Sequence, residues 1–197
     1  QTGLVAKQAA EVDLLSDGRL RLGVGVGWNH VEYEALDCEW KTRGIKQAEQ
    51  IDVLRKLWTE GLVTFEGRFH KYNEVTIVPS PKQRSIPIWI GGSADSVIRR
   101  AAKLGDGWMP ILSPDDEGKA ALEKMYSYLD EFGRKREGFG IEVWMRFSED
   151  YPEFWGATAD EWRSMGADMV MLYPMWEVKG VDGQIEILRK FKEVADG

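Results

Sequence analysis

The chain has 197 residues, a net charge of −7, 43% hydrophobic and 11% aromatic residues, and no run of Lys or Arg. That length and apolar content suit a packed core in one large domain or two small ones, and they argue against a disordered chain and against a nucleic-acid or anionic-membrane binder. One cysteine, Cys38, allows no internal disulfide and no thiolate cluster, and no apolar run approaches the ~18 residues of a membrane span.

The expected location is therefore a reducing compartment, the cytoplasm. No signal peptide is visible, and the chain opens without Met, already in a helical pattern. Residues 4–15 carry Leu4, Val5, Gln8, Ala9, Val12 and Leu15, whose apolar members recur at three and four residues and predict a helix with these on one face. Ser16-Asp17-Gly18 ends it. "RLRLGVGVG" follows. Leu20, Leu22, Val24 and Val26 alternate with Arg21, Gly23, Gly25 and Gly27, predicting a strand over 20–26 whose small side admits a close neighbour. Residues 43–60 give the clearest helix, with Ile45, Ala48, Ile51, Leu54, Leu57 and Trp58 as its stripe. "VTFEGRFHKYNEV" reads as a hairpin turning at Glu66-Gly67-Arg68, within an insertion over about 62–80.

From residue 87 the pattern alternates. Strands are expected at 87–91, 107–111, 139–146 and 168–173. Helices are expected at 94–104, 115–135, 158–165 and 182–195. With 20–26 this makes a parallel α/β series joined by right-handed crossovers, with no internal linker, so 1–197 reads as a single domain.

The junction "WIGGSADS" raises a chemical question. Gly91-Gly92-Ser93 between a strand and a helix is either a tight βα turn or a cradle of backbone N–H groups for a phosphate. Asp95 in the first helical turn suits the helix dipole but repels a phosphate, and Ser93 could be the N-cap. Arg43 reads as a helix-entry residue, His70 as a surface residue of the hairpin, and His30 as an unsupported histidine. Gly105-Asp106-Gly107 reads as a turn. Glu32 and Glu34 form no dyad, and no His, Asp or Glu spacing suggests a metal.

The ordered set "GRLRLGVGVGWNHVEYEAL", "RG" before "VLRKLWTE", "VTFEGRFHKY", "PIWIGGS" and "RRAAKLGDGWMP" resembles the luciferase-like monooxygenase superfamily over about residues 4–195. That superfamily includes bacterial luciferase, FMN-dependent monooxygenases and F420-dependent oxidoreductases. The resemblance implies a TIM-type (β/α)₈ barrel of which this chain supplies strands four to eight plus the hairpin, leaving two open sheet edges and favouring a homo-oligomer, a dimer. It implies F420 or FMN as cofactor and a small organic substrate, with Gly25, Gly27, Trp28 and Asn29 at the cofactor and Gly91, Gly92 and Ser93 on its phosphate. No catalytic residue is assigned. In the family's F420-dependent sugar-phosphate dehydrogenases an acidic proton donor follows the strand-four glycine. Trp28 stands there instead. The implied function is a flavin- or deazaflavin-dependent oxidoreductase or monooxygenase. The alternatives are a non-catalytic flavin-binding or partner subunit and, more remotely, a sugar-phosphate barrel without flavin.

Overall fold

A computed structural model describes residues 1–146, 154–174 and 180–195. The chain divides into two compact units, Gln1–Ile90 and Gly91–Gly197.

The first unit contains α1 (Thr2–Leu15), β1 (Leu22–Val24), α2 (His30–Ala35), α3 (Arg43–Thr59), β2 (Val63–Glu66), β3 (Lys71–Val75) and most of β4 (Ile88–Gly91). β1 runs parallel to β4, with Leu22, Gly23 and Val24 opposite Ile88, Trp89 and Ile90. Ile88, Trp89 and Ile90 are all buried. A continuous apolar run of this kind marks a parallel strand covered on both faces.

α1 turns a different face inward from the one its larger apolar residues mark. Ala6, Ala9 and Ala10 are buried, whereas Leu4, Val5, Val12 and Leu15 are exposed. The alanines permit close approach to α3, where Trp58 donates its Nε1–H to the Ala6 carbonyl at 3.0 Å. On α3 the buried line is Gln47, Ile51, Leu54 and Trp58, at spacings of four, three and four. Ile45 falls off that line and is 58% exposed, and Ala48 is half-buried. The expected stripe is thus right for the last three turns of α3 and wrong at its start, where Gln47 takes the inward position.

β2 and β3 form the expected antiparallel hairpin. His70, expected at the surface, is mostly covered. Its Nδ1 lies 2.7 Å from Glu49 Oε1 and its Nε2 lies 2.7 Å from Thr2 Oγ1. Glu49 also accepts the backbone N–H groups of Arg68 and Phe69. The hairpin turn is thereby tied to α3 and α1. A side chain at Gly67 would place its Cβ 2.6 Å from the Glu49 carboxyl carbon and from the Phe65 ring, so either side-chain end would have to move to admit it.

The second unit holds the end of β4 with α4 (Asp95–Leu104), β5 (Gly107–Met109), α5 (Asp116–Glu131), β6 (Gly140–Arg146), α6 (Phe154–Ser164), β7 (Met169–Tyr173) and α7 (Val181–Ala195). β6 pairs in parallel with β5 and with β7. The sheet order is β1-β4-β5-β6-β7, the expected five-stranded parallel series, with β1 and β7 at its ends. Ile141, Val143 and Met145 of β6 are buried, as are Trp155, Ala159 and Trp162 of α6. Asp168 locks the β6–β7 register: its Oδ2 accepts from the Ile141 N–H at 2.7 Å and from Arg136 at 2.8 Å.

Several boundaries differ from expectation. α1 begins at Thr2 rather than 4, β1 is shorter than 20–26, β5 ends at Met109 rather than 111, α5 stops at Glu131, and α6 begins at Phe154 rather than 158. α2 has no counterpart in the sequence reading because one short helix carries no readable apolar period.

Candidate functional site

The carboxyl ends of parallel strands point to one side of a sheet, and ligands of such sheets gather there. In the second unit that side carries the Gly91-Gly92-Ser93 junction. Gly92 has φ +122°, a conformation side chains rarely adopt, and it reverses the chain between β4 and α4. The junction is braced by β5. The Gly92 N–H donates to the Met109 carbonyl at 3.1 Å, and the Trp108 indole donates to the Gly92 carbonyl at 2.8 Å. The Ser93 hydroxyl accepts from the Ile111 N–H at 3.0 Å.

These bonds revise the sequence picture in two ways. The Gly92 N–H is already used, so the donors for an anion are those of the α4 N-terminus behind it. Ser93 is not the N-cap. That position belongs to Ala94, which has no side chain able to cap, so the first N–H groups of α4 lack a side-chain acceptor. The helix end retains its partial positive charge.

Asp95, which sequence alone sets against a phosphate, is turned toward α5. Its Oδ1 lies 3.0 Å from Lys124 Nζ and accepts from the Tyr128 hydroxyl at 2.8 Å. The hydrogen bonds from Lys124 and then Tyr128 hold this carboxyl below the usual carboxylate range. Its charge is neutralised on the side of the helix, leaving the uncapped end positive.

In the first unit, Gly23, Gly25 and Gly27 are exposed, and a Cβ on Gly25 would meet nothing within 4 Å. The backbone at the end of β1 is therefore open to a flat neighbour. Gly27 has φ +70° and turns the chain into α2. Trp28 is 88% exposed and packs under no loop. Asn29 is the N-cap of α2, accepting from the Val31 N–H at 3.2 Å and donating to Glu32 at 3.3 Å. Its side chain is thus committed to the helix. Tyr33 reaches back to the Val26 carbonyl at 2.5 Å and meets Trp40 edge-on at 5.0 Å. Arg43 lies 3.5 Å over the Trp40 ring and donates to the Trp40 carbonyl. Arg43 also lines a cleft of about 350 Å³, with Val24, Gly25, Val26, Tyr33 and Gln47. His30 is exposed, with its ring 6.4 Å from that of Trp40.

One pair escaped the sequence reading. Trp144 of β6 stacks on Tyr173 of β7, with centroids 5.5 Å apart and planes 24° from parallel. The Trp144 indole N–H is buried and has no acceptor among the described residues. The signal was present in "GIEVWMR": Ile141, Val143 and Met145 alternate with Glu142 and Trp144. The stack is decided by register, which sets Trp144 opposite Met171 and leaves Tyr173 as its diagonal neighbour. No cluster of metal-ligating side chains occurs among the described residues. None of their helices is long and apolar enough to cross a membrane.

The family model for the luciferase-like monooxygenase matches residues 2–148. An uncharacterised protein of Mycobacterium tuberculosis is 36% identical over 140 residues, which are 71% of this chain and 48% of that protein. An F420-dependent glucose-6-phosphate dehydrogenase of Segniliparus rotundus is 29% identical over 157 residues, covering 77% of this chain and 46% of that enzyme. Among solved structures, the monooxygenase RslO1 of Streptomyces bottropensis superposes with a TM-score of 0.82 at 19% identity, covering 98% of this chain and 73% of that one. The chain spans about half the length of the curated relatives it matches.

Proposed function

The chain belongs to the luciferase-like monooxygenase family, and from that premise we propose that it is part of an oxidoreductase that holds F420 or FMN and acts on a small organic substrate. The observation that carries the reading is the α4 N-terminus behind Gly91-Gly92-Ser93. It has no side-chain cap, its first-turn carboxylate is turned away onto Lys124, and Gly92 makes a turn only glycine adopts comfortably. A phosphate supplies the acceptors this helix end lacks.

The residues present fit the group. Ser93 and the first N–H groups of α4 would hold the phosphate. The bound cofactor supplies hydride transfer or oxygen activation, and the protein contributes binding, orientation and exclusion of water. Glucose-6-phosphate dehydrogenation, the activity in the name of one relative, is not carried over. The resemblance sets an acidic donor at the position where this chain has Trp28.

Titration of the purified protein with FMN and with F420, followed by fluorescence and by visible absorption, tests the reading. Saturable binding of one of them, competed by inorganic phosphate, is expected. Failure to bind either would overturn the proposal, and turnover of the reduced cofactor separates an enzyme from a binding subunit.

A further inference from the structure

We draw no further inference here: the strongest candidate, the cleft of the first unit that Arg43 lines between α1, β1 and α3, lies against β1, the end strand of the sheet, and nothing in the structure shows what covers it.

Discussion

Ala94→Asp separates the two things a helix N-terminus can do. Ala94 sits at φ −64°, ψ 144°, the extended conformation an N-cap requires. An aspartate there adopts the native backbone without strain and accepts from the N–H groups of the α4 first turn. Replacing alanine by a capping residue is worth about 1 kcal/mol, which for a domain of this size raises the thermal midpoint by roughly 2–4 °C. The same carboxylate stands where the phosphate is proposed to bind. Two unit charges about 4 Å apart in water repel by about 1 kcal/mol. A phosphate carrying nearly two charges therefore loses about 2 kcal/mol, or about thirtyfold in affinity. Ala94→Ser is the control, because it caps without charge and should raise stability while changing affinity by less than about threefold. The assays are thermal unfolding of the free protein and dialysis with FMN, with riboflavin as the probe that lacks the phosphate. Riboflavin affinity is expected to be unaffected. If Ala94→Asp stabilises the protein and binds FMN as wild type does, the phosphate does not lie at this helix end. Gly92→Val is less informative, since φ +122° and a contact of 3.3 Å with Val97 would strain the fold whatever it did to the ligand.

Ile51→Ala should cost about 2–5 kcal/mol in denaturant unfolding, because Ile51 is 1% exposed. Ile45→Ala, at 58% exposure, should stay within about 0.5 kcal/mol; equal costs would refute the assignment of the buried face of α3. At Glu49, burial raises the pKa, but hydrogen bonds from His70 and from the Phe69 and Arg68 N–H groups outweigh it, and the net pKa is lowered. A lowered folded-state pKa stabilises fully above the unfolded value and is lost as pH falls through the folded value. Acid unfolding monitored from pH 5 downward should thus be shallower in Glu49→Gln than in wild type, and parallel curves would count against the link. Gly67→Ala should destabilise the hairpin, seen as faster amide exchange over 63–75, because its Cβ collides with the Glu49 carboxyl group; unchanged exchange would show that the turn can relax.

Composition and periodicity sufficed for the alternation of strands and helices from residue 87 onward, for the hairpin, and for the glycine-rich strand ends. Each of these rests on local rules: two-residue and 3.6-residue periods, and the freedom of glycine at Gly27 and Gly92. The inward face of α1 was not legible in this way. Leu4, Val12 and Leu15 mark a stripe by hydrophobicity, but the helix packs through Ala6, Ala9 and Ala10, because close approach to Trp58 rewards small side chains over large ones. His70 looked like a surface residue because Thr2 and Glu49, the partners that cover it, lie 68 and 21 residues away. At the candidate site the glycines were visible but their use was not. Tertiary contacts alone decided that Met109 takes the Gly92 N–H, that Ile111 takes the Ser93 hydroxyl, and that Lys124 turns Asp95 aside. The Trp144–Tyr173 stack belongs with these. Its two rings are 29 positions apart in the chain, and only the parallel register of β6 on β7 makes them neighbours. Local sequence sets which backbone conformations a segment prefers, whereas the aim of a polar side chain depends on which distant group offers the better bond.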